Sequence, residues 1–150
     1  MTEVLFYHLQ GQPLEKVLPT LLEKSLERGW KAVVQAGDAE RLAALDDHLW
    51  TYDEQSFITH GLADEPDAAM NAVALARDAA NPNGAQIRFL VDGAQTPPDA
   101  QSYARIVIIF DGEDDAALAG AREQWRAVKA AGHEATYWRQ DERGRWNKMA

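Results

Sequence analysis

The chain contains no cysteine. Disulfides, thiolate metal sites and cysteine nucleophiles are thereby excluded, and the composition fits a cytoplasmic protein. No stretch approaches the roughly 18 consecutive apolar residues of a membrane-spanning helix. Met1-Thr2-Glu3-Val4-Leu5-Phe6-Tyr7 has no basic n-region, so no signal peptide is expected. Phosphate loops are missing as well. Neither G-x-G-x-x-G nor G-x-x-x-x-G-K-[ST] occurs, and the turns at Gly11 and Gly37 carry neither pattern. The histidines His8, His48, His60 and His133 form no H-x-x-x-H pair. There is no G-x-S-x-G elbow, and Ser56 has no base close to it in the sequence. The acid pairs Asp46-Asp47 and Asp114-Asp115 are adjacent, so on a helix their side chains diverge. These absences together predict a protein with no catalytic site, no metal and no cofactor.

What is present is an ordinary globular composition: 150 residues, 46% apolar and 26% charged. That size fits one domain, residues 1–150, with one sizeable core. The formal net charge of −9 is spread unevenly. Residues 1–35 are balanced, and residues 36–115 hold sixteen acids against four bases. Residues 116–150 hold seven bases against four acids. So acidic a body is repelled by duplex phosphates, and direct nucleic-acid binding is disfavoured. The basic C-terminal part is the exception.

Val4–Leu9 is an apolar run suited to a buried first strand, with His8 at its end as a hydrogen-bonded residue or a site residue. Gly11-Gln12-Pro13 turns into a helix whose apolar side is Leu14, Val17, Leu18, Leu21, Leu22 and Leu26. Pro19 within it predicts a kink or a loose first turn. Gly29 ends that helix, and Trp30–Gln35 is the second strand. Asp38 is the expected N-cap of a helix over Glu40–Trp50. This β-α-β-α order predicts an α/β domain with a mostly parallel sheet and helices on its faces. A short strand is expected at Ser56–His60, followed by an acidic loop, Ala63–Asp67. Met70–Ala80 is ambiguous in composition and is read as a strand lying between two others, ahead of the turn at Asn81-Pro82-Asn83-Gly84. Further strands are expected within Gln86–Gly93, at Arg105–Phe110 and at Glu134–Arg139. Residues 140–150 read as an exposed, flexible basic tail or a short hairpin.

The stretch Leu118–Gly132 reads as one amphipathic helix stopped by glycine. Ala117, Ala121, Gln124, Val128 and Ala131 form a narrow, small-residue face that can lie on a sheet. Leu118 and Trp125 sit at its edge, with Arg122, Arg126 and Lys129 beside them. An aromatic bordered by three cations is better suited to an interaction site than to a core.

The order of segments resembles the chi subunit of bacterial DNA polymerase III over nearly the whole chain. The likeness is carried by Val4-Leu5-Phe6-Tyr7, Leu21–Ala32, Leu45–Trp50, Ser56–Leu62, Asn81–Gly84 and the strand Arg105–Phe110 with the helix after it. Its most specific parts are the LW…SF…H-G-L block and the A-R-x-x-W-[RK] helix. The resemblance implies a Rossmann-like fold without a nucleotide site. It also implies a non-catalytic clamp-loader accessory that binds the acidic C-terminal tail of single-stranded DNA-binding protein (SSB). The residues implied to receive the tail are Arg122, Trp125 and Arg126. Leu118 stands where some members have a further base, and Lys129 joins the set on helical geometry alone. Trp50, Phe57, His60 and Leu62 are implied to meet a second subunit, psi. Nucleic acid would then be reached only indirectly, and no membrane is involved. A different class of reading is a small α/β enzyme or nucleotide-binding domain using the crevice of the sheet. A third is single-strand binding through the basic tail with Trp138 or Trp146.

Overall fold

The computed structural model describes residues 2–150 apart from Gly11, Asp38, 52–59, 63–69, Glu142 and Gly144, and gives no side-chain placement for Trp50 and Thr51. The expected N-cap Asp38, the segment 56–59 and the acidic loop therefore lie outside the described residues. Among the described residues, eight strands form one sheet: β1 (Glu3–Leu9), β2 (Ala32–Gln35), β3 (His60–Leu62), β4 (Val73–Ala76), β5 (Ile87–Leu90), β6 (Arg105–Asp111), β7 (Glu134–Gln140) and β8 (Trp146–Lys148). Their order is β3-β4-β2-β5-β6-β1-β7-β8. Every pairing is parallel except β7 with β8.

The helices are α1 (Leu14–Glu27), α2 (Ala39–Thr51) and α3 (Asp115–Ala130). Strand alternation divides the core between the two faces. Leu5 and Leu9 of β1 pack with Leu18 and Leu22 of α1 and Leu42 and Leu45 of α2. Val4 and Phe6 point the other way, to Ala121 and Val128 of α3. The sheet thus carries helices on both faces, in the Rossmann-like manner. The ambiguous stretch 70–80 holds a short buried strand, β4 (Val73–Ala76), between β3 and β2, in agreement with the strand reading. Of the two expectations for residues 140–150, the short hairpin holds: Trp146–Lys148 pairs antiparallel with β7, although most of the described residues there are exposed. The cause is burial: Trp146 stacks on Tyr7, with ring centroids 4.6 Å apart.

Pro19 does not loosen the start of α1, which runs unbroken from Leu14 to Glu27. A proline lacks the N–H that would bond the carbonyl four residues earlier, that of Glu15. His48 of α2 supplies the missing donor, its Nε2 donating to the Glu15 carbonyl oxygen at an N···O distance of 2.6 Å. The interruption in one helix is therefore the point where a second helix fastens to it. A second polar fastening lies on β5, where the fully buried Arg88 donates to the Gln35 side chain, the Asp78 and Ala80 carbonyls and the Tyr103 hydroxyl.

His48→Ala is expected to cost about 1–2 kcal/mol, because the Glu15 carbonyl loses its donor. In a Pro19→Ala background the restored amide can take that carbonyl, so the same change costs less. A double-mutant cycle by urea denaturation reads the coupling.

Candidate functional site

Helix α3 begins earlier than its apolar pattern indicates, because Asp114 caps it. The Asp114 carboxylate accepts from the amides of Ala116 and Ala117 at 2.9 and 3.2 Å. At the other end Gly132 adopts φ +85° and the His133 amide reaches back to the Val128 carbonyl. Ala121, Gln124 and Val128 are buried and Ala117 is half-buried, as the small-residue face requires. Ala131 is exposed instead, since the helix ends at Ala130 and the chain turns away. Gln124 adds a polar anchor: its Oε1 accepts from the amide and hydroxyl of Thr96 at 3.2 and 2.9 Å.

Trp125 is half-buried at the edge of that face. Its ring meets Phe6 edge-on with centroids 5.3 Å apart, and Tyr137 with centroids 6.1 Å apart. Lys129, placed only by helical geometry, lies with Nζ 5.2 Å from the centre of the Trp125 ring. Leu118 is half-buried, whereas Arg122, Arg126 and Lys129 are exposed. At 100° per residue Arg126 falls nearly opposite the buried face, so it stands furthest out of the set.

Leu118 and Arg122 form one wall of a cavity of about 490 Å³. The opposite wall is Tyr137 and Arg139 of β7, with His8 of β1 on the floor and Met149 at the rim. Neither Tyr137, Arg139 nor Met149 was among the residues singled out from the sequence. Alternation along β7 puts Tyr137 and Arg139 on one face, but only the parallel β1–β7 pairing says that this face is the one α3 covers. Burial raises the pKa of the Tyr137 phenol, against the opposing pull of the Arg139 and Arg122 charges. Its oxygen lies 2.7 Å from His8 Nδ1. The His8 ring rests on the backbone of Gly112, where an added Cβ would run into the imidazole. The pKa of His8 is lowered, chiefly by burial and then by the Arg139 charge, while Asp111 works against them. Arginine therefore supplies the groove's positive charge at neutral pH.

The implied psi-facing block is only partly described: the Trp50 side chain and Phe57 lie outside it. His60 is buried on β3, with Nε2 3.1 Å from the Asp46 carbonyl and 3.2 Å from the Asp46 carboxylate. Leu62 is half-buried against the α1–α2 side of the core.

The crevice at the carboxyl ends of β1 and β6 is a separate cavity of about 780 Å³. Glu15, Asp92, Asp111, Glu113 and Asp114 line it, with Arg41 as the base among them. Arg41 is bound by Glu15 and by Asp92, the latter at 2.6 Å. Burial acts to raise the Glu15 pKa, but its backbone hydrogen bond and the Arg41 contact prevail and hold it low. A nucleotide phosphate placed here would face carboxylates, and the first amides of α3 are already taken by Asp114. Among the described residues no group of acids and histidines is arranged to hold a metal ion, and no helix is long and apolar enough to cross a membrane.

Because the folded-state pKa of His8 lies below 6.5, the folded protein binds fewer protons than the unfolded chain at mildly acid pH. The stability this contributes is complete above that pH and is lost as pH falls through it. Melting temperature measured between neutral and mildly acid pH is expected to fall less steeply in His8→Gln than in the wild type.

A family model described as "DNA polymerase III chi subunit, HolC" matches residues 1–136, taking in all of α3 and ending one residue before Tyr137. A "DNA polymerase III subunit chi" of Pseudomonas aeruginosa is 26% identical over 136 residues, covering 89% of this chain and 93% of that protein. A "Probable DNA polymerase III subunit chi" of Rickettsia prowazekii is 26% identical over 117 residues, covering 74% of this chain and 71% of that protein. On a match of that extent, the chain belongs to the chi subunits of DNA polymerase III, accessory subunits in DNA replication.

Proposed function

We propose that this chi subunit is a non-catalytic, cytoplasmic adaptor that grips the acidic C-terminal tail of SSB and links it to the clamp-loader and polymerase subunits. The observation that carries the reading is the groove in which Arg122 and Leu118 of α3 face Tyr137 and Arg139, beside the half-buried Trp125. An SSB tail ends in acidic residues and an apolar residue with a free carboxylate. A guanidinium matches a carboxylate in a bidentate pair, and Arg122 offers one at the groove wall. Leu118 gives the terminal side chain an apolar surface. Trp125 sets the wall by bracing Tyr137 and Phe6, and Lys129 covers its outer side. Arg126, furthest out, acts on the approaching acids at longer range. A few such contacts support micromolar affinity, on the order of −8 kcal/mol. Their exposure makes that affinity sensitive to salt.

The link to the polymerase complex would run through psi and the opposite edge of the sheet. Trp50, Phe57 and Leu62 are the residues proposed to meet it. His60, buried and bound to Asp46, supports that surface by tying β3 to α2.

The enzyme or nucleotide reading is weakened by the acidic lining of the sheet crevice. The single-strand reading is weakened by the tail aromatics. Trp138 and Trp146 pack with Tyr7 on the sheet face away from α3, so they give the basic groove no platform for bases.

Arg122→Glu is expected to weaken binding of an SSB-tail peptide by about thirtyfold or more, roughly 2 kcal/mol, with an unchanged melting temperature. Trp125→Ala should lose binding together with about 2 kcal/mol of stability, since the ring is part of the packing between helix and sheet. Trp125→Phe should retain most of both. Fluorescence anisotropy and thermal melts read these outcomes, and unchanged affinity in both Arg122→Glu and Trp125→Ala overturns the proposal. Nucleotides are expected to give no thermal shift.

A further inference from the structure

The groove on α3 does not stop at Arg139. A second cavity of about 540 Å³ adjoins it along the carboxyl edge of the sheet and shares Gln10, Arg139 and Met149 with the first. Its far wall is the β7–β8 hairpin, from which Arg143 and Arg145 line it. Resting on the proposed acidic-peptide reading, we propose that this second cavity is its continuation. In it Arg139, Arg143 and Arg145 receive the acidic residues upstream of the peptide's carboxyl end.

Charge and hydrogen bonding favour this occupant. Arg139, Arg143 and Arg145 stand at this cavity against one described acid, Asp141. The Asp141 carboxylate is turned inward, accepting the Arg143 and Arg145 amides at 2.8 and 2.9 Å, while its own amide donates to the Arg145 carbonyl at 2.8 Å. Those amide bonds, that of Arg145 foremost, hold its pKa below the usual carboxylate range. The acid thus builds the turn that presents the two arginines, although it also lies 3.7 Å from Arg145 Nε. Arg139 stands at the junction, its Nε donating to Gln10 Oε1 at 2.8 Å, which orients the guanidinium between the cavities. Met149, 58% exposed, lies at the same junction and gives an apolar residue of the peptide a flexible surface. A nucleic acid strand would need ring faces for its bases, and the hairpin's tryptophans lie on the other side of the sheet.

The test uses the full chain and two peptides. One is a short acidic peptide with a phenylalanine at its free carboxyl end, and the other is the same peptide extended upstream by aspartates. The Arg143→Glu/Arg145→Glu double variant, with folding checked by circular dichroism, is expected to bind the extended peptide about tenfold more weakly. It should bind the short one like the wild type. Arg143→Gln/Arg145→Gln should lie between. Equal affinities of variant and wild type for the extended peptide overturn the continuation while leaving the α3 site standing. Equal losses for both peptides overturn it too, as does loss of oligo(dT) binding alone. Failure of the wild type to bind either peptide overturns the α3 reading and this one together.

Discussion

The contact on which the rest depends is that of Trp125 with Phe6 and Tyr137. It exists because β6, α3 and β7 form a crossover that spans β1. Strand β1 lies between β6 and β7, so the helix joining those two must lie over β1. Phe6 is the β1 residue under it, and Tyr137 is its register partner on β7. Trp125 fills the corner between them. One aromatic therefore fixes the helix over the strand and sets the distance between the wall bearing Arg122 and the wall bearing Arg139. Shortening it would move the groove as well as weaken the core.

The same sheet edge carries two crevices of opposite charge. The one between the starts of α1 and α3 is lined by five carboxylates, and the one between α3 and β7 bears Arg122 and Arg139. Asp111 and Glu113 lie near the boundary, so the potential changes sign within a short distance. On the proposed function, an anionic peptide would be repelled from one crevice and attracted to the other, so charge would define where it docks as well as how strongly. Net acidity and acidic-ligand binding are therefore compatible in one molecule. The excess of acid disfavours the approach of phosphate polymers while a local strip of arginine remains available.

Much of this was legible in the sequence. The 3.6-residue period placed the buried face of α3 and the cations beside Trp125. The mostly parallel sheet with helices on its faces followed from alternating β and α signals, and Gly132 marked the helix end. The facing wall was not legible. Tyr137 and Arg139 read as a last strand, and knowing which face they occupy requires the pairing of β7 with a strand more than a hundred residues earlier. The same holds for Pro19. Its cost could be read locally, but its remedy, His48, comes from a different helix. Alternation and periodicity describe one element at a time, whereas a groove or a polar bridge is a property of two.

The polar fastenings bear on affinity as well as stability. A peptide binding site loses affinity when its walls must be ordered on binding. Here the helix wall is held at Gln124 by Thr96, at Trp125 by Phe6 and Tyr137, and at its start by the Asp114 cap. The strand wall is held by parallel pairing on one side and the β8 hairpin on the other. What remains to be ordered is the long side chains of the arginines, and a guanidinium loses less freedom per hydrogen bond than a lysine ammonium because its fork is rigid. A frame braced from both sides, bearing arginine at its rim, suits a ligand that is itself a disordered acidic tail. In the proposed complex the ordering cost would fall mainly on the peptide, which would keep the complex weak enough to exchange.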